Sequence, residues 1–147
     1  MNNNFDEIVT GLINLSESKR MNNVNLKKMM GARLYTLDFC TVRVDAGRGV
    51  GKTTYIKNHA GILDLVIVPS RRLMLNEFAE VMNDLDIVSS DYFDFRRIGG
   101  RDYRGIYIDE PSLVVENSAD RIISRVEDII DILVNPSIEQ TFVLLGR

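Results

Sequence analysis

The sequence predicts an α/β fold, with a mainly parallel central sheet covered by helices on both faces. Three observations lead there. Short continuous apolar runs, DLVIVPS (64–70), RGIYIDEPS (104–112) and TFVLLGR (141–147), read as strands buried on both sides. Helical patterns separate these runs, giving the alternation β-α-β-α-β-α-β of a parallel sheet with crossover helices. Finally, a glycine-rich loop, DAGRGVGKTTYI (45–56), joins the end of a strand to the start of a helix.

Taken in order, Phe5, Ile8, Leu12 and Leu15 recur at helical spacing and predict a short amphipathic helix over residues 5–15. Residues 16–31 are polar, then basic at Lys27 and Lys28. They read as a loop, or as a second helix with Leu26, Met29 and Met30 on one side. LYTLDFCTVRVDA (34–46) reads as one or two strands ending at the glycines. TTYIKNHA continues the glycine loop as a helix that stops near Gly61. Ser70 is placed to cap the next helix, with Met74, Phe78, Val81 and Met82 as its buried stripe. DRIISRVEDIIDILV (120–134) gives the clearest helix, with Ile122, Val126, Ile129 and Leu133 on one face.

Bulk properties bound the class. The chain has 147 residues, 45% apolar and 27% charged, and a net charge of −3. That length fits one domain, with a helical segment at 1–33 and a core at 34–147. The charge argues against non-specific polyanion binding by the whole surface, though not against a local basic patch. Cys40 stands alone, which fits a reducing compartment. No run approaches the length of a membrane span, and the polar start MNNNFDEI is no secretory signal. The expectation is a soluble, intracellular, cytoplasmic protein with no membrane partner.

Clustered glycines are costly to order and usually serve a backbone geometry that no other residue adopts. Against the phosphate-loop pattern G-x-x-x-x-G-K-[ST], residues 46–53 read AGRGVGKT. Gly51, Lys52 and Thr53 match; Ala46 stands where the pattern has its opening glycine. The alternative is a glycine-rich turn that binds nothing. In the phosphate reading, backbone N–H groups from Arg48 to Thr53 wrap a phosphate at a helix N-terminus. Lys52 then reaches the β- and γ-phosphates, and the Thr53 hydroxyl ligates Mg²⁺. Candidate nucleotide contacts are Gly47, Arg48, Gly49, Val50, Gly51, Lys52, Thr53 and Thr54. Arg48 either approaches the γ-phosphate, as a catalytic group, or lies in solvent.

The second chemical element is GIYIDEP, where an apolar strand ends in two carboxylates. Ligands of open α/β sheets sit at that carboxyl edge. Asp109 is the candidate second metal ligand, through a water, and Glu110 the candidate base orienting the attacking water. A solvated strand-to-loop junction is the plainer alternative.

AGRGVGKTT together with IYIDEP resembles the P-loop NTPases with an additional sheet strand and a catalytic glutamate. Among them, superfamily 1 and 2 helicases and the large terminase ATPases of tailed viruses look nearest. DLVIVPSRRLMLNEFAE (64–80) and TFVLLGR (141–147) are similar to segments of those motors, as is an arginine within the phosphate loop. The resemblance covers residues 40–147 and implies a three-layer α/β/α RecA-like core that binds ATP with Mg²⁺ and hydrolyses it. It also implies that the last strand lies between the Asp109 strand and the strand before Lys52, with the 64–68 strand outermost. Implied partners are DNA or RNA, a homo-oligomer or a larger motor assembly. The sequence departs from the family in lacking a glutamine before the loop and in showing no second RecA-like lobe. A nucleotide or small-molecule kinase and a non-hydrolysing nucleotide-binding module are the competing functions.

Other residues bear on partners. RRIGGRDYRG (96–105) carries Arg96, Arg97, Arg101 and Arg104, candidates for nucleic acid or for donation to a neighbouring site, with a solvated turn as the alternative. Arg71 and Arg72 begin a helix where motor ATPases often meet nucleic acid. His59 reads as a surface or capping residue. Met29, Met30, Met74 and Met82 read as core filling.

Overall fold

The computed structural model describes residues 3–47, 49–91, 101–116 and 125–147. Within them lie helices α1 (Asn3–Met21), α2 (Leu26–Met30) and α3 (Ala32–Phe39), then strand β1 (Thr41–Val44) and helix α4 (Lys52–His59). β2 (Asp64–Val68), α5 (Arg71–Glu77), a 3₁₀ turn (Ala79–Val81) and β3 (Asp86–Ser89) follow. β4 (Gly105–Asp109), α6 (Pro111–Glu116), α7 (Val126–Leu133) and β5 (Thr141–Leu145) complete the order. The five strands form one all-parallel sheet in the order β1-β5-β4-β2-β3.

Alternation along the strands builds two apolar layers. Leu65, Ile67, Ile106, Ile108, Phe142 and Leu144 face α7, meeting Val126, Ile129, Ile130 and Leu133. Val66, Val68, Tyr107, Val143 and Leu145 face the other way, onto Phe5 and Val9 of α1, Tyr55 and Ile56 of α4, and Phe78. Strands β2, β4 and β5 are buried at four consecutive positions, which is why each reads as an unbroken apolar run. Ser70 accepts a hydrogen bond from the Leu73 N–H at 3.1 Å, so the predicted cap of α5 is present. Of the stripe expected on that helix, Phe78 is fully buried, and Met74, Val81 and Met82 pack against the same layer.

Register places the site. Val44, Leu145 and Asp109 are aligned across β1, β5 and β4, so these strands end together at one carboxyl edge. β5 lies between β4 and β1, as expected. β2 is not outermost, because β3 pairs beyond it with Leu65 opposite Asp86 and Val68 opposite Ser89. DIVS is short and mostly half-exposed, leaving little apolar signal for an edge strand.

Further expectations change. Residues 34–39 form the greater part of α3, not a strand. Tyr35 stacks on Phe39 at 5.6 Å, Tyr35 and Thr36 are buried, and the Ser16 hydroxyl of α1 donates to the Phe39 carbonyl. Tertiary contacts here override β propensity. Helix α1 is longer than the stretch 5–15 and is turned, burying Phe5 and Val9 while Ile8, Leu12 and Leu15 face outward. Met29 is 79% exposed and fills no core. The continuous helix expected over 120–134 is not formed: Arg125 is extended and α7 begins at Val126, while Ile122 lies outside the described residues.

Candidate functional site

The loop from β1 to α4 takes its shape from three glycines. Gly47, Gly49 and Gly51 have φ of 86°, 71° and 100°. Nothing lies within 4 Å of where a β-carbon would stand on any of them, so the demand is conformational and not steric. Gly51 precedes the first turn of α4, and its carbonyl accepts from the Tyr55 N–H at 2.8 Å. Lys52, Thr53 and Thr54 therefore open a helix directly from a left-handed turn. The Gly47 N–H donates to Asp45 Oδ1 at 3.4 Å, within the loop. Val50 packs inward against the α1 and α4 layer. Arg48 lies outside the described residues.

Asp109 ends β4 on the face that carries Tyr107, toward the α4 layer. It is 3% exposed, and burial pushes its carboxyl up to about 6, with the neighbouring Glu110 charge adding to the rise. Lys52 offsets part of this, and the Glu77 carboxylate adds to it. Glu110 has φ of 49°, the one positive value among the described non-glycine residues. That turn swings its carboxylate onto the Lys52 ammonium, forming an ion pair with both side chains largely buried. The sequence-predicted residues Lys52, Asp109 and Glu110 thus come together across the ends of β1 and β4, with β5 between.

Sequence reasoning overlooked Gly146 and the backbone of Arg147. The Arg147 N–H donates to Glu110 Oε2 at 3.2 Å, while Gly146, with φ of 106°, lies against the same carboxylate. A glycine directly after a buried strand, as in LLGR, was the available signal.

The donors suit a hard cation. Asp109 offers a carboxylate and Thr53 a hydroxyl, and the negative surplus around Asp109 is balanced by Lys52 alone among the side chains that act on it. Among the described residues, no group of three or more His, Cys, Asp or Glu side chains could hold a metal alone. Mg²⁺ is usually held by one or two carboxylates plus substrate phosphates, so these residues fit it as part of a nucleotide complex.

The remaining candidates lie elsewhere. Arg101 and Arg104 are exposed just before β4, at the opposite, amino edge of the sheet. Arg96 and Arg97 fall outside the described residues. The Arg71 N–H is held by the Asp91 carboxylate at 3.1 and 3.2 Å. His59 bonds Asp6 at 2.8 Å and stacks on Tyr55 at 4.1 Å, fastening α1 to α4. No helix among the described residues is long and apolar enough to cross a membrane. No protein-family model matches the chain, and neither do any curated protein or solved structure.

Proposed function

We propose that this chain is a Mg²⁺-dependent ATPase with a RecA-like P-loop core, related to viral packaging motors or helicases, acting with nucleic acid or within a larger assembly. The observation that carries the reading is the pairing of Lys52 with Glu110 beside buried Asp109, at the mouth of a loop bent by three left-handed glycines. A cation and two carboxylates gathered at the carboxyl edge of a parallel sheet form a site for a phosphate chain and its metal. The strand interposed between β1 and β4 agrees with the catalytic-glutamate branch of the family.

In this reading the loop N–H groups and Lys52 bind the phosphates, and Thr53 and Asp109 hold the metal. Mg²⁺ supplies charge neutralisation to the phosphoryl oxygens. Glu110 would accept the proton of the water that attacks the γ-phosphorus, as the bond from that phosphorus to the β–γ bridging oxygen breaks and ADP leaves; its present partner, Lys52, would turn to the phosphate when nucleotide arrives. Arg101 and Arg104 lie at the amino edge, the far end of β4 from Asp109, so their part in this reading would be with nucleic acid or at the site of a neighbouring copy.

The test is phosphate release from ATP by wild type and Glu110→Gln, with Mg²⁺ and with chelator. Wild type should turn over only with Mg²⁺. The variant should bind ATP yet lose roughly 100- to 10,000-fold in rate, the usual contribution of a positioned base. Wild-type turnover in the variant would remove Glu110 from the chemistry. Binding without turnover in either protein would favour the non-hydrolysing module, and transfer to an acceptor in place of water would favour a kinase.

A further inference from the structure

Glu110 has two anchors of different kinds. One is the Lys52 side chain, and the other is the Arg147 backbone N–H at 3.2 Å from Oε2. Under the nucleotide reading, on which this inference rests, Lys52 cannot serve a phosphate and Glu110 equally. When Lys52 turns to phosphate, the backbone anchor is what keeps the carboxylate in place.

That anchor depends on Gly146. The chain leaves β5 and bends there at φ of 106°, with the Gly146 N–H donating to the Val44 carbonyl at 2.8 Å. On the other side, the Glu110 N–H donates to the Leu145 carbonyl at 2.8 Å, and the Ser112 N–H to the Arg147 carbonyl at 2.7 Å. The 145–147 segment is therefore stitched to β1 and to the β4–α6 turn together. A β-carbon on Gly146 would stand 2.6 Å from Glu110 Oε2, 2.7 Å from Cδ and 2.9 Å from Oε1. By contrast, the three glycines of the phosphate loop face open space. Two left-handed residues, Glu110 and Gly146, meet at one carboxylate, and such backbone conformations gather where a group must be held for use.

We infer that Gly146 is a positioning residue for hydrolysis: the space its missing side chain leaves is the seat of the Glu110 carboxylate, and the turn it permits presents the Arg147 N–H that holds that carboxylate once Lys52 has moved to the phosphate. Gly146 touches no substrate; it acts through Glu110. Leu145 and Val44, the aligned ends of β5 and β1, fix the height of the seat relative to the phosphate loop.

The experiment compares four proteins: wild type, Gly146→Ala, Glu110→Ala and the double variant. Thermal midpoints without ligand are measured first. Gly146→Ala should lower Tm in both backgrounds, because a side chain at φ of 106° is strained whatever surrounds it, and by more in wild type, where the β-carbon also displaces the Glu110 carboxylate. If Gly146→Ala does not fold, the double variant should recover the fold. With Mg·ATP, Gly146→Ala should lose roughly 100- to 10,000-fold in kcat, with KM within about threefold of wild type. The double variant should be no slower than Glu110→Ala alone. Equal Tm loss in both backgrounds, failure of both to fold, or wild-type kcat in Gly146→Ala would overturn the inference while leaving the nucleotide reading intact. A wild type that binds no nucleotide would overturn both, whatever the Tm values.

Discussion

The two edges of this sheet are built by opposite means. At the amino edge, buried polar side chains are matched to backbone and side-chain partners. The Gln140 amide accepts from the Asn135 N–H at 2.7 Å and donates to the Tyr103 carbonyl at 2.8 Å. The Asn135 side-chain amide donates to Asp102 Oδ1 at 3.0 Å, and its Oδ1 accepts from the Ser137 N–H at 3.0 Å. At the carboxyl edge the chain accepts unfavourable features instead. Of the six positive-φ residues among those described, five are there: Gly47, Gly49, Gly51, Glu110 and Gly146. Asp109 is buried with its carboxyl raised to about 6. Strain and perturbed carboxylates concentrate where a ligand is handled, whereas satisfied networks secure the fold. Under the nucleotide reading, one edge secures the fold and the other handles the ligand.

The largest effect expected from this contrast links the two edges between copies. If Arg101 or Arg104 of one copy completes the carboxyl edge of another, specific activity should rise with protein concentration, or on adding DNA or RNA. An arginine supplied in trans contributes roughly 1,000- to 100,000-fold in rate. Arg101→Ala and Arg104→Ala should abolish the rise and leave the dilute basal rate unchanged. The assay needs two salt levels, since phosphate contacts weaken as salt increases. Activity that is flat with concentration and indifferent to nucleic acid would confine the amino edge to a structural role.

The next effect concerns Asp109. Its folded pKa of about 6 lies above the ordinary 3.8, so its contribution to stability is fully present below about pH 4 and is lost as pH rises through 6. The shift amounts to about 3 kcal/mol. Asp109→Asn, neutral at every pH, should therefore be more stable than wild type above pH 6 in chelator, by up to about 3 kcal/mol. It should nevertheless fail to bind Mg·ATP. Parallel denaturation curves for the two proteins from pH 4 to pH 8 would show that Asp109 carries no such penalty.

A smaller effect of opposite character is expected at the amino edge. Gln140→Ala leaves the Asn135 N–H and the Tyr103 carbonyl without their partner, which should cost about 1–3 kcal/mol in stability. Nucleotide affinity should not change. A variant with native stability but weakened nucleotide binding would reverse the assignment of the two edges.

How much of this was legible in the sequence follows from where each segment is buried. DLVIV, GIYID and TFVLL are enclosed on both faces, so their apolar runs could scarcely be anything else, and the Lys52, Asp109 and Glu110 candidates followed from what flanks them. LYTLDF suits a strand or a helix equally, and only its packing under α1 decides. Helix α1 carries two interleaved apolar stripes. Phe5 and Val9 pack into the layer of Tyr55, Ile56 and the sheet, and Asp6 and Thr10 on the same side reach His59 and Tyr55 of α4, leaving Ile8, Leu12 and Leu15 outward. Those partners are over 40 residues away, beyond the range of local pattern. Gly146 was missed for the same reason, since its meaning depends on a carboxylate from another strand.

The central claim is that the carboxyl edge holds the phosphates of a Mg²⁺-bound nucleotide through Lys52. Titration of a fluorescent ATP analogue into wild type and Lys52→Ala, with Mg²⁺ and with both proteins confirmed folded by circular dichroism, tests it most directly. The account predicts saturable binding by wild type and none by the variant. Equal affinity in the two proteins would contradict it.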